Sequence, residues 1–254
     1  MLTEERLELI RAQLARHGKV LANALAPQFG VSEDTVRRDL RELARQGHCR
    51  RVYGGALLPS PDSGSLTTRV ASHEDAKAAL ALATVDLLKD GQTIFIDAGP
   101  TNLAIARALP PELKLTIVTN TPAVAVALTG HANHAIVVLG GQFDHAKGAC
   151  LGPQTIREAS QIFADMVILG ACGVDSAIGV TALDAAEAEV KRTLVAQSSL
   201  LVIAATSDKL GTIAPFKVAD ASRIDHLVVE ADVGDLSDFA ALDIKVLRTT
   251  ASTK

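Results

Sequence analysis

The chain has 254 residues, 48% of them hydrophobic but only 3% aromatic, with no Trp and a net charge of −4. That length allows one large domain, or a small and a medium one, and the core must be built from Val, Ile, Leu and Ala, which suits buried strands under Ala-rich helices better than an antiparallel sandwich. Apolar runs stay short of the ~18 residues of a membrane span, the charged start Met1-Leu-Thr-Glu-Glu-Arg6 argues against a secretory signal, and Cys49, Cys150 and Cys172 stand singly, unlike a disulfide or zinc framework; a reduced, cytoplasmic protein is expected.

Thr3 is placed to cap a first helix with Leu7, Ile10 and Leu14 at helical spacing, ended by His17-Gly18. A second short helix is predicted over Val20 to Phe29, stopping at Gly30, and Ser32 can cap a third, Glu33 to Gln46. Two short helices joined by a tight Gly-containing turn are the helix-turn-helix arrangement. At about 100° per residue, Val36, Leu40 and Leu43 share the inner face of the third helix. Arg38, Arg41 and Arg45 lie opposite, with Arg37 on the flank and Thr35 near the N-terminal end. A recognition helix needs this division: its inner face anchors it, and its outer face offers Arg to guanine edges and Ser or Thr to bases or phosphates.

His48 to Ala56 reads as a strand and turn, a basic wing whose Arg50 and Arg51 would follow a phosphate backbone. Charge supports a polyanion surface here. Residues 1–58 carry ten Arg/Lys against seven Asp/Glu, a net +3 that leaves −7 for the remainder. Charge alone favours the plainer reading, a solvated helix face.

The run Gly30-Val-Ser-Glu-Asp-Thr-Val-Arg-Arg-Asp-Leu-Arg-Glu-Leu43, followed by Arg50-Arg-Val-Tyr-Gly-Gly-Ala56, resembles the N-terminal motif of the DeoR family of bacterial regulators. The resemblance implies a winged helix-turn-helix binding double-stranded operator DNA through Ser32, Thr35, Arg37, Arg38, Arg41, Arg50 and Arg51, coupled to a sugar-phosphate-sensing domain. Tyr53 replaces the His expected before Gly-Gly.

Leu58-Pro-Ser-Pro-Asp-Ser-Gly-Ser65 marks a domain boundary, so the expected division is 1–57 for DNA binding, 58–71 as linker and 72–254 as an α/β effector-binding and oligomerisation domain. Helices are predicted over Ala76–Leu88 and Leu103–Leu109. Strands are predicted at Thr93–Asp97, Leu115–Thr119, Ala135–Leu139, Met166–Leu169, Leu200–Ala204, His226–Val229 and Ile244–Leu247. Such alternation implies a mostly parallel sheet, whose ligands bind beyond the carboxyl ends of its strands. There stand Asp97-Ala-Gly-Pro-Thr-Asn102, Thr119-Asn120, Gly140-Gly141, Gly170–Asp175 and Ser207-Asp-Lys209.

These segments, with Glu187-Ala-Glu-Val-Lys191, also resemble the DeoR effector domain, a family similar in fold to ribose-5-phosphate isomerase. The resemblance implies an effector site formed by Asp97, Gly99, Thr101, Asn102, Asn120, Gly140, Gly141, Lys191 and Lys209, with the Gly99–Asn102 turn on the phosphate. Pro100 departs from the family's two Thr after Gly and removes one backbone donor. The expected function is a repressor of carbohydrate metabolism genes that works as a homo-oligomer without cofactor or metal. An isomerase-like enzyme carrying a DNA-binding domain is the alternative, but the position resembling the catalytic Glu falls on Lys191, and a cation there suits holding an anion better than removing a proton. A purely structural oligomerisation domain is a third reading. His131, His134 and His145 fit no metal-ligand spacing and are read as loop residues, and Cys172 as a small buried side chain.

Overall fold

A computed structural model describes residues 2–59 and 66–250. The N-terminal unit runs α1 (Thr3–His17), β1 (Lys19–Leu21), α2 (Ala22–Phe29), α3 (Glu33–Arg45), β2 (Arg50–Val52) and β3 (Gly55–Pro59). Ile10, Leu14, Leu25, Val36, Leu40 and Leu43 fill its core at no more than 2% exposure, while Arg37, Arg38, Arg41 and Arg45 are exposed on α3. Two boundaries differ from expectation. The cap of α1 is Leu2, not Thr3, because the Glu5 carboxylate accepts the Leu2 N–H at 2.9 Å and closes the first turn. Val20, expected in a helix, instead pairs with Ala56 in the wing sheet, so α2 begins only at Ala22.

Ser60–Ser65, most of the predicted boundary segment, lie outside the described residues; Leu58 and Pro59 belong to β3. The second unit opens with α4 (Leu66–Ala71), α5 (Glu74–Val85), β4 (Thr93–Ile96), α6 (Pro100–Ala108), β5 (Thr116–Thr119), α7 (Pro122–Ala127) and β6 (Ala135–Val138). A hairpin, β7 (Gln142–Asp144) and β8 (Ala149–Leu151), leads to α8 (Pro153–Ala159), β9 (Ala164–Leu169), β10 (Gly173–Asp175), β11 (Gly179–Ala182) and α9 (Ala185–Ala196). The chain ends through β12 (Ser198–Ala204), β13 (Thr212–Ile213), β14 (Phe216–Ala219), β15 (His226–Val229), α10 (Ser237–Ala240) and β16 (Lys245–Arg248).

All seven predicted strands join one parallel sheet, ordered β16-β15-β12-β9-β4-β5-β6. Side-chain alternation divides its core: Ile94 and Ile96 pack with Leu80 and Ile105 on one face, and Phe95 packs with Leu169, Val190 and Ile203 on the other. Burial on both faces explains the near-continuous apolar runs. The antiparallel sheet β10-β11-β14 and the β7–β8 hairpin are additions that the sequence reading did not contain. No helix among the described residues is long and apolar enough to cross a membrane.

The two units share a sheet. β3 pairs with β1 and β2 through Gly55–Leu57, then with β13 in parallel through Leu58 and Pro59, opposite Thr212 and Ile213. Gly18, at φ 71, both caps α1 and lies against Gly211; a Cβ there would stand 2.8 Å from the Gly211 carbonyl oxygen. Lys19 of β1 reaches Asp238 of α10 at 2.7 Å.

Candidate functional site

On α3, the Ser32 hydroxyl accepts the Thr35 N–H at 3.2 Å, and the two hydroxyls lie 3.0 Å apart, so this pair caps the helix and marks its positive end. Arg37 pairs with Glu33 at 2.9 Å, and Arg38 and Arg41 reach Asp34 at 3.8 and 4.0 Å. Exposed pairs of this kind contribute little, so exchanging the carboxylates for DNA phosphates or guanine edges costs little. The inner face contains one residue that the sequence reading missed as an anchor. Asp39 is buried, and Arg6 of α1 donates to it through Nε at 2.5 Å and Nη2 at 3.1 Å. That fork fixes the angle of α3 against α1, and its only sequence signal is an acid flanked by core positions.

At the carboxyl ends of β4, β9 and β12 lies a cavity of about 700 Å³, bordered by Gly99–Asn102, Gly170–Cys172, Ala204–Thr206 and Lys209. Six Lys or Arg and three Asp or Glu line it, so a basic crevice sits in the acidic part of the chain. The α6 N-terminus opens into it, and Pro100 occupies the first helical position, where an N–H would lack an intrahelical acceptor. Gly170 is needed at the floor, since a Cβ would fall 2.3 Å from the Ala98 oxygen.

Below the floor, Lys191 is 1% exposed and donates to Asp97 Oδ2 and, at 2.6 Å, to the Gly170 carbonyl; Glu187 is 3.4 Å away. Burial alone would lower the Lys191 ammonium, but Asp97 and Glu187 outweigh it and hold the group above the ordinary lysine value. Lys191 is therefore a charged post tied to β4 and β9, committed before any ligand arrives. At the rim, Lys209 pairs with Asp208 at 3.1 Å. Burial pushes the Asp208 carboxyl up, but the Thr206 hydroxyl and Lys209 hold it below its usual range. Burial raises the Cys172 thiol, which disfavours a nucleophilic thiolate.

Gly99, Thr101, Asn102, Lys191 and Lys209 thus border one crevice. Asn102, however, turns its amide inward to the carbonyls of Asp97 and Ile168 at 2.9 and 3.0 Å, so its side chain braces β4 against β9. Asp97, Asn120, Gly140 and Gly141 do not line the cavity. Asn120 donates to the Cys150 carbonyl at 3.3 Å, and Gly140 exchanges hydrogen bonds with Glu158 and Thr155, fastening α8. The reading missed Arg69, His73, Lys77 and Lys147 on the crevice wall, which carry no motif and look like solvated charge. His134, expected in an exposed loop, is 8% exposed, and burial pushes its imidazole below the ordinary value. Arg50 of the wing also lines the crevice; Arg51 does not.

Residues 72–231 match the family described as the DeoR C terminal sensor domain, and residues 6–62 match the DeoR-like helix-turn-helix domain. The chain is 33% identical over 229 residues to the glycerol-3-phosphate regulon repressor of Escherichia coli (strain K12), covering 89% of this chain and 88% of that one. It is 28% identical over 232 residues to the HTH-type transcriptional repressor GlcR of Bacillus subtilis (strain 168), covering 91% and 89%. Among solved structures, ribose 5-phosphate isomerase A of Methanocaldococcus jannaschii aligns with a TM-score of 0.40 and 18% identity over 55% of each chain.

Proposed function

The chain belongs to the DeoR family of transcriptional regulators, and from that premise we propose that it is a cytoplasmic repressor of carbohydrate metabolism genes whose operator affinity is set by a small phosphorylated sugar or polyol. The observation that carries this reading is the basic crevice facing a helix N-terminus in an otherwise acidic domain. A phosphate ester supplies the charge that such a site favours. A relative named as the glycerol-3-phosphate regulon repressor supports the same ligand class. Commitment of Asp97 and Glu187 to Lys191 supports holding a ligand rather than abstracting a proton from it.

On the DNA side, α3 would enter the major groove, with Arg38 and Arg41 at base edges, Ser32, Thr35 and Arg37 beside them, and Arg51 along the backbone. One helix-turn-helix reads few base pairs, so the working form is at least a dimer held mainly by the second unit. A thermal-shift screen of the full chain against phosphorylated sugars and polyols, glycerol 3-phosphate included, tests the sensor. A true effector at a hundred-fold excess over its Kd stabilises by about 2.7 kcal/mol, or roughly 5–10 °C for a unit of this size. No shift with any phosphorylated compound would remove the sensing role.

A further inference from the structure

We propose that the wing belongs to the effector site: Arg50, from the DNA-binding unit, and Arg69, from the linker helix α4, grip the anion held in the crevice, so that ligand and DNA compete for Arg50. This rests on the reading of the crevice as an anion site and adds the residues that connect it to DNA. Three observations carry it.

The first is register. Leu57 of β3 lies opposite Arg50 of β2, and the next residue, Leu58, lies opposite Thr212 of β13. β3 thus lies between Arg50 and the strand that follows Lys209 and carries both, and the Arg50 side chain lines the same cavity as Lys209. Arg51, one residue on, points to the other face of the strand.

The second is charge commitment. Among the cavity's cations, Lys191 is held by Asp97 and Glu187, Lys209 by Asp208, and Lys147 by Asp144 at 3.3 Å. Lys77 donates to the backbone carbonyls of Arg69, Val70 and Ser72 at the end of α4. Among the described residues neither Arg50 nor Arg69 has a carboxylate partner, and the Arg69 Nε is buried with no hydrogen-bond acceptor. Two guanidiniums with no carboxylate partner among the described residues, lining one cavity, are suited to a phosphate that accepts from both.

The third is connection. The wing, the linker helix and the Lys209 turn meet at this cavity, and the β3–β13 pairing fixes the wing beside it. A phosphate bridging them holds Arg50 inward, where it cannot serve a DNA phosphate. Occupancy then lowers DNA affinity without any separate relay, because the same guanidinium serves both partners.

The test uses the full chain, with inorganic phosphate and glycerol 3-phosphate as probes, titrated by calorimetry on the parent, Arg50→Ala and Arg51→Ala. Arg50→Ala should weaken the tighter probe by about ten-fold or more, the size of one charge-assisted hydrogen bond, and Arg51→Ala should leave its affinity unchanged. With saturating probe, the salt slope of duplex binding should fall by about one in the parent and stay unchanged in Arg50→Ala. Both side chains are exposed, so folding is checked simply by comparing melting temperatures. If the parent binds a probe and Arg50→Ala binds it equally well, or if Arg51→Ala loses as much, the wing has no part in the site, while the crevice reading stands. A parent chain that binds neither probe overturns both.

Discussion

Replacing Lys191 by Met probes how the floor of the crevice is built. The Lys191 and Asp97 side chains are each 2% exposed, and the ammonium also serves the Gly170 carbonyl. Met keeps most of the volume but removes the charge, leaving the Asp97 carboxylate buried with the Gly170 N–H at 3.0 Å as its remaining donor. Breaking a buried pair in this way costs about 3–5 kcal/mol, where an exposed pair would cost under about 1. For a unit of this size that lowers the melting temperature by roughly 6–20 °C. The second change, Asp97→Asn, removes the stranded charge, so the double variant should recover much of the loss. Because the folded ammonium titrates above the ordinary lysine value, the pair's contribution is present throughout the neutral range. It is lost only as the pH climbs past 10.5 and through the raised folded value. Urea denaturation of the full chain, followed by circular dichroism at neutral pH, measures all three proteins. A Lys191→Met variant within about 1 kcal/mol of the parent would refute the buried pair as a structural post and return Lys191 to the role of an available ligand cation.

Arg38→Ala and Arg41→Ala should each weaken operator binding by roughly 1–3 kcal/mol where the side chain makes a bidentate base contact, measured by fluorescence anisotropy; unchanged affinity in both would remove α3 from the groove. Asp39→Ala should cost about 3 kcal/mol of stability by stranding Arg6, read as a lower urea midpoint for the DNA-binding unit, and a neutral result would mean that the fork is not what sets α3. Pro100→Thr restores an N–H and adds a hydroxyl at the α6 start, so phosphate affinity should rise in calorimetry; no change would put the anion elsewhere on the strand ends.

Local patterns made the recognition helix and the seven strands legible. Val36, Leu40 and Leu43 repeat at helical spacing, and strands buried on both faces must be apolar throughout. What escaped depends on residues far apart in the chain. Lys191 reads as a cation for the ligand, and its commitment to Asp97, 94 positions away, shows only in the fold. Asn102 looks like a ligand donor, yet its amide is spent on Asp97 and on Ile168, 66 positions on. β13 is two residues long and gains its meaning only from Leu58 and Pro59. The strands β7, β8 and β10 are three residues each, too short to stand out as apolar or alternating runs. Arg50 was legible as a basic wing residue, and its neighbourhood with Lys209 was not.

In the proposed function, one chain couples an anion crevice to an operator-reading helix. The most direct measurement of that coupling is the affinity of the full chain for an operator selected from random duplexes, with and without the compound that gives the largest shift in the sugar-phosphate screen. Operator affinity should weaken roughly 5- to 150-fold at saturating ligand, the range of a coupling of about 1–3 kcal/mol. Operator affinity that stays constant while calorimetry shows the ligand bound would contradict it.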